Sequence, residues 1–577
     1  MKQTLLILAV SSALALGAPR ATGQAAWVQF TEESSARISG PANLGVSDPE
    51  EKDIAVGDVD NDGDTDMVIV RKKPFTTSPP GTGIGARPHV LYLNEGGVMT
   101  ILTNTYAPDL NNPSDARAVE LADVDNDGWL DMVIANSAYD APRILMNQGS
   151  GPSGWLGFDE ENFRFPPLPA PPHFCGLGVG DANGDGYADI YFVDYLNTLE
   201  DRLWFNNGAA QPGYFTDVTS TNLSSLLAQS SFGTRGFILD MDGDGHNDLV
   251  KSQNGSMQII WNNGSANFNT VTSPPSNAVY DVGVADLDND GDLDMYFAQD
   301  PQDRVQRNPN GFAAHSPASW TSTDLTTSQS PYTGGFNANP QFADVDNDGD
   351  LDVGVSDCDV DVSGFTRRFS LLRNNSNGNP SAPWAGILAS PYGGVAQNYN
   401  VFGSYDHAFL DINGDGYLDL WIGYGTSNTS GGNKVFIQDP PLPPAGTTPF
   451  GTGCAGTAGI PQIGTNSDPT IGNASFALTL WSARPSSIAI HFLTLNSSNT
   501  PFGACTVYAD VFGSLLLSGS VPTTALGTAS KPLPIPNLPS LAGATLYEQW
   551  VVLDPLGPLP IAGGLALTGG LQIDFGV

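Results

Sequence analysis

The sequence predicts an all-β protein, a seven-bladed β-propeller followed by a small C-terminal β-sandwich. Three observations predict it. A nine-residue aspartate-rich motif recurs seven times between residues 58 and 419. Short apolar runs of strand length flank its copies. Past a proline-rich stretch at 440–444 the motif stops while strand-like runs continue.

The first copy is Asp58-Val-Asp60-Asn-Asp62-Gly63-Asp-Thr-Asp66. The next three place the same residue types at Asp123, Asp125, Asp127 and Asp131, at Asp181, Asn183, Asp185 and Asp189, and at Asp240, Asp242, Asp244 and Asp248. The last three use Asp286, Asp288, Asp290 and Asp294, then Asp344, Asp346, Asp348 and Asp352, then Asp411, Asn413, Asp415 and Asp419. Copies start 46 to 67 residues apart, a period that suits a solenoid, a propeller or a domain array. The flanks choose between them. Ile54–Gly57 precedes the first motif and Met67–Val70 follows it; Met132–Ala135, Ile190–Val193, Met295–Ala298 and Leu420–Gly423 follow others. A third run ends in Asn at Asn94, Asn147, Asn206 and Asn262, and a fourth follows at Tyr214–Asp217. Four antiparallel strands per repeat, seven times, is propeller architecture.

These motifs resemble the FG-GAP or VCBS repeat family over Trp27 to Asp439. The resemblance implies a propeller like that of integrin α subunits, and bound calcium. It implies no particular ligand or reaction.

The residues point to calcium on their own. Ca²⁺ takes six to eight oxygen ligands in irregular geometry. Carboxylates or amides at positions 1, 3 and 5 can converge, Gly at position 6 allows the sharp turn, and Asp at position 9 closes the site. Position 7 varies freely (Asp64, Trp129, Tyr187, His246, Asp292, Asp350, Tyr417), as a main-chain ligand would permit. An EF-hand needs Glu at position 12, where Ile69, Ile134, Phe192, Lys251, Phe297, Val355 and Ile422 stand instead. The expectation is therefore about seven Ca²⁺ sites. Seven bare acidic turns are the bland alternative, disfavoured because close carboxylates repel by roughly 4 kcal/mol per pair at 4 Å. Asp357, Asp359 and Asp361 alternate too, but lack the Gly and the closing Asp, and read as a solvated strand face.

The remaining chain sets the context. Its 577 residues carry a formal net charge of −39, which argues against nucleic-acid and membrane-surface partners. Residues 1–25 read as a signal peptide, with Lys2 ahead of an apolar Leu5–Leu16 core, so the mature chain is expected to be secreted, extracellular, on the cell surface or periplasmic, with no transmembrane segment after cleavage. The domain reading continues with the propeller at 26–439, a linker at 440–449 and the sandwich at 450–577. Cys454 and Cys505 share the last region and are candidates to pair; Cys175 and Cys358 read as a second pair or as buried free thiols.

Trp27–Phe30 resembles the fourth strand of an internal repeat and is expected to complete the last blade, which lacks one of its own. No H-E-x-x-H or G-x-S-x-G motif occurs. The reading is an extracellular binding or adhesion module for a glycan or protein ligand. The competing readings are a calcium-dependent polysaccharide lyase or other carbohydrate-active enzyme, and a purely structural surface protein. The ligand is expected opposite the aspartate loops, near the basic cluster Arg71, Lys72, Lys73 and Arg87, with Tyr332, Tyr392 and Tyr399 as stacking residues.

Overall fold

The computed structural model describes residues 28–576 apart from 49, 74–84, 138–139, 197–198, 231, 254, 277–278, 300–302, 326–336, 358–368, 375–387, 390–403, 425–431, 440–444, 537, 539–540 and 560–562. The expected signal peptide, Trp27, Cys358, Asp359, Asp361 and the three tyrosines lie outside the described residues. The chain is all-β and divides into two compact units, Met1–Asp439 and Pro440–Val577.

Among its described residues the first unit holds a small two-stranded sheet at Ser150–Gly151 and Gly154–Trp155, and seven successive sheets of four or five strands, antiparallel except where Ile38–Ser39 adds in parallel to Met99–Ile101 at the edge of the first. In each, the aspartate motif joins the first strand to the second: Glu51–Gly57 to Asp66–Lys72 in the first sheet, Ala116–Ala122 to Asp131–Asn136 in the second, Phe174–Gly180 to Asp189–Asp194 in the third. The ninth motif residue thus opens the second strand every time. Second strands are buried along their whole length in these sheets, which is why they read as unbroken apolar runs rather than as alternating ones.

Side chains of neighbouring sheets fill shared cores. Val68 and Leu91 of the first sheet pack with Met132 and Ile134 of the second. Val133 and Ile144 pack with Ile190 and Phe192 of the third, and the pattern runs through the remaining pairs. It also joins the last sheet to the first, where Trp421 and Val435 pack with Met67 and Ile69. The last sheet has three strands of its own, Ser404–Leu410, Asp419–Tyr424 and Lys434–Asp439, and takes its fourth from the N-terminus. Gln29–Glu32 pairs antiparallel with Lys434–Asp439, Phe30 opposite Gln438, as the sequence led us to expect. Val28 and Phe30 are buried in the core shared by the sixth and seventh sheets.

In the second unit a six-stranded and a three-stranded sheet enclose one core, in which Leu478 and Leu480 meet Ala489, Trp550, Val552 and Ile573. A two-stranded hairpin, Ser497–Phe502 with Cys505–Ala509, lies beside them in sequence. Cys454 and Cys505 form a disulfide, with Cα atoms 5.5 Å apart. Cys175 is a buried free thiol. One expectation needs correction. The linker read at 440–449 is shorter, because Gly446–Phe450 is a strand that pairs with Gly570–Asp574 at the edge of the larger sheet. Pro449 is tolerated there because an edge strand can spare a ladder N–H.

Candidate metal-binding loops

The seven loops share one backbone design. Position 4 always has positive φ, and only two residue types occupy it: Asn61, Asn126, Asn289 and Asn347 at 56–59°, and Gly184, Gly243 and Gly414 at 70–76°. Asn and Gly are the residues that enter the left-handed region at least cost. The carboxylate at position 1 accepts two backbone N–H groups across the turn. Asp58 takes those of Asp62 at 3.1 Å and Gly63 at 3.0 Å, and the same pair of bonds recurs in the other six loops. Position 5 accepts the N–H of position 7, as Asp62 does from Asp64 at 3.1 Å.

This wiring brings carboxylates together. Oxygens of Asp58, Asp60 and Asp62 lie within 4.8 Å of one another, as do those of Asp123, Asp125 and Asp127, of Asp286, Asp288 and Asp290, and of Asp344, Asp346 and Asp348. In the fourth loop the converging set is Asp240, Asp242 and Asp248, positions 1, 3 and 9. The third and seventh loops have Asn183 and Asn413 at position 3. There Asn183 accepts the Asp185 N–H at 2.9 Å, and Asn413 donates to Asp415 at 3.0 Å.

A cation is the natural occupant of such loops. Oδ1 of Asp60, Asp125, Asp288 and Asp346, all at position 3, is buried without a hydrogen-bond partner among the described residues. A buried carboxylate oxygen left so costs free energy unless a positive charge meets it. These residues fit a hard, oxygen-seeking divalent ion.

Position 9 does a second job that sequence reasoning missed. Its Oδ2 accepts the N–H of position 2 and its Oδ1 accepts the N–H of a residue at or next to the end of the third strand. Asp131 takes Val124 at 3.0 Å and Asn147 at 2.8 Å, and all seven loops repeat the arrangement. Burial pushes these carboxyls up, to about 8 in Asp131, Asp189 and Asp352, against the pull of their two N–H donors. The third-strand residue then reaches the preceding sheet. Asn147 Nδ2 donates to Val59 O, Asn206 to Val124 O, Asn262 to Ala182 O, Asn308 to Met241 O and Asn374 to Leu287 O, and Gln438 Nε2 donates to Val345 O. Asn94 closes the series by donating to Ile412 O of the seventh sheet, and all seven distances fall between 2.7 and 3.0 Å. The signal was present in Asn94, Asn147, Asn206 and Asn262, although turn propensity accounts for an Asn at a strand end equally well.

The expected basic cluster is not a free cationic surface. Arg71 is buried and binds Asp48 through Nε and Nη2, both at 2.8 Å, and Arg87 pairs with Glu50 at 2.6 Å. Lys72 is buried as well. Asp48 and Glu50 thus neutralise the two arginines of the cluster.

First-strand residues from several sheets, Asp53, Glu120, Val282, Gln341 and Asp406 among them, line one cavity of about 350 Å³ together with Arg235. Arg235 binds Asp281 at 2.9 Å and Asp53 at 3.6 Å. Burial pushes the Glu120 carboxyl up to about 7. His89 accepts the Arg71 N–H and bonds Ser114, and His407 bonds Ser356 at 2.9 Å.

Comparison with known proteins supports the repeat. The FG-GAP-like repeat family matches residues 123–192, 181–250, 240–297 and 286–355. Cartilage acidic protein 1 of Homo sapiens is 25% identical over 273 residues, which cover 42% of this chain and 38% of that protein; the Mus musculus protein is 25% identical over 269 residues with the same coverage. The matched stretch thus spans well under half the length of these curated relatives. Among solved structures, an Agrocybe aegerita lectin that recognises non-reducing terminal N-acetylglucosamine is similar at 14% identity, over 57% of this chain and 78% of that one, with a TM-score of 0.37. The V. cholerae biofilm matrix protein Bap1 is similar at 13% identity, over 71% and 69%, with a TM-score of 0.27. The chain therefore carries FG-GAP-like repeats, four of them in unbroken succession from residue 123 to residue 355.

Proposed function

We propose that the first unit is a seven-bladed β-propeller whose seven aspartate loops each hold one Ca²⁺, and that the protein is a secreted binding or adhesion module with an extracellular glycan as ligand. The residues at positions 1, 3, 5 and 9 of each loop would hold the ion. The observation that carries the reading is the buried position-3 oxygen without a partner, repeated in four loops whose carboxylates converge. Bound calcium would meet these oxygens, in place of the Arg307 and Arg373 charges that Asp288 and Asp346 now face.

Several features support the wider reading. Shared cores and the side-chain bonds from Asn94 to Gln438 link each sheet to the next and the seventh to the first. In the second unit, the two sheets around one core suit a small sandwich. The Cys454–Cys505 disulfide fits an oxidising compartment. No helix among the described residues is long and apolar enough to cross a membrane. The connections from Lys72 to Val90, from Asp324 to Asn337 and from Ala389 to Ser404 join strand ends remote from the aspartate loops, and connections this long are commonly functional. The test is a glycan array probed with and without calcium. Calcium-dependent retention on a defined glycan class supports the reading, and no retention with calcium-loaded protein overturns the glycan assignment.

A further inference from the structure

We infer that the seven loops are graded, and that Arg307 and Arg373 are tethered counter-cations that hold the fifth and sixth loops at weaker calcium affinity than the first. The inference rests on the calcium reading above. The first, fifth and sixth loops are almost the same peptide: Asp-Val-Asp-Asn-Asp-Gly-Asp-Thr-Asp, Asp-Leu-Asp-Asn-Asp-Gly-Asp-Leu-Asp and Asp-Val-Asp-Asn-Asp-Gly-Asp-Leu-Asp. Each has five carboxylates. Their surroundings differ. Arg307 forms an ion pair with Asp288 Oδ2, and Arg373 reaches Asp346 Oδ2 at 2.5 Å and Asp348 Oδ2 at 2.9 Å. No Lys or Arg ion pair to Asp58, Asp60 or Asp62 is present among the described residues.

The two arginines share one site in the repeat. Each ends the third strand of its sheet and directly precedes Asn308 or Asn374, at the position where the other five sheets place Leu93, Met146, Phe205, Trp261 and Ile437. Both guanidinium groups are partly exposed, at 21% and 31%, while the aspartates they hold are 2% and 9% exposed. An arriving divalent ion must therefore displace a charge that can swing into water, and the binding free energy is reduced by the ion pair lost. Ligand charge tunes calcium affinity in loops of this kind. The second loop is nearer the first. There Arg164, whose charge also acts on Asp125, is paired with Glu161 at 2.7 Å.

The experiment is calcium titration of the full chain by calorimetry, with bound calcium counted by equilibrium dialysis, for wild type and the Arg307→Met/Arg373→Met variant. Methionine is the residue the second sheet already uses at this site. The expected result is that two sites tighten by roughly three- to tenfold, the range for removing a part-exposed ion pair. In chelator the variant should melt below wild type, since its carboxylates lose their counter-charge, and calcium should abolish that difference. If the double variant folds poorly, single variants to Gln and the pair Asp290→Ala and Asp127→Ala, at a position that is Asp in all seven loops, decide the matter. Asp290→Ala should remove a weak site and Asp127→Ala a tight one. Equal affinities in wild type and the arginine variants overturn the grading and leave the calcium reading intact. Fewer ions bound to the variant also overturn it, by making the arginines supports of the site. A wild type that takes up no calcium at millimolar concentration sinks both.

Discussion

The two units of this chain are both built from short antiparallel strands, yet their cohesion has different sources. In the first unit every sheet is tied to its neighbours by the same side-chain wiring. A carboxylate at position 9 holds its own loop and its own third strand, and an Asn or Gln from that strand holds the loop before it. The second unit has no such motif. Its cohesion comes from one core around Trp550 and from a covalent link between Cys454 and Cys505. Charge follows the same division. From residue 451 onward the sequence has five acidic and two basic residues, so nearly all of the chain's −39 lies upstream. The unit that gathers carboxylates is thus the one for which a bound cation is proposed.

Chelation should separate the units most sharply. Each proposed calcium site would stabilise the folded first unit by about 1.4 kcal/mol when calcium is tenfold above Kd, so seven would sum to on the order of 10 kcal/mol. Excess chelator should lower the melting transition of the first unit by roughly ten degrees, because so large a unit has a large unfolding entropy, and leave that of the second in place. Differential scanning calorimetry would resolve the two transitions. A single calcium-insensitive transition would break the comparison outright.

The N-terminal strand offers the next largest effect. Deleting residues 28–33 removes Val28 and Phe30 from a shared core and strips the partner from Lys434–Asp439. Truncating a buried Phe alone costs about 3–5 kcal/mol, and an uncovered edge strand invites aggregation. The first transition should fall or vanish and the second should persist. An unchanged first transition would mean that the seventh sheet holds without its borrowed strand.

Reduction should act in the opposite sense. The disulfide closes a loop of 51 residues, and removing it with Cys454→Ser/Cys505→Ser should cost the second unit about 2–4 kcal/mol. Urea unfolding followed by the fluorescence of the variants would show the second transition shifted and the first untouched. A shift in the first transition instead would show that the two units do not melt independently.

Much of the first unit was legible because its signals are local. Nine residues specify each loop, and Gly63 or Asn61 can be read one at a time. The borrowed strand was legible because Trp27–Phe30 repeats a pattern found inside the chain. The bonds between sheets were not. Asn206 reaches a carbonyl 82 residues away, and nothing within a strand-length window distinguishes an Asn that does so from one that merely ends a strand. The charged residues misled for the same reason. Arg71 and Asp48 are 23 residues apart and Arg87 and Glu50 are 37 apart, so the sequence shows a basic cluster where the structure shows both arginines in ion pairs. Arg373 and Asp348 are separated by 25. Loop chemistry is written in neighbours, whereas charge compensation is written in register.

The smallest effect tests whether the wiring between sheets is separable from the ion sites. Asn147 is the useful residue because its two halves serve different loops. Its backbone N–H belongs to Asp131 of the second loop, at 2.8 Å, while its side chain donates to Val59 O of the first at 2.7 Å and to Leu130 O at 3.1 Å. Asn147→Ala keeps the first bond and removes the other two. It also strips the acceptor from Trp155 Nε1, which lies 2.8 Å away. Leaving such buried groups without partners costs about 1–3 kcal/mol, so the first transition should drop by a few degrees. The number of calcium ions bound should stay the same, because every predicted ligand of both loops remains. Asn147→Asp sharpens the point. It keeps the acceptor for Trp155 but turns a donor into an anion facing the Val59 carbonyl, and should destabilise at least as much as alanine. Loss of an ion in Asn147→Ala would show instead that the stitching between sheets is part of each metal site, and the first unit would then have one source of cohesion rather than two.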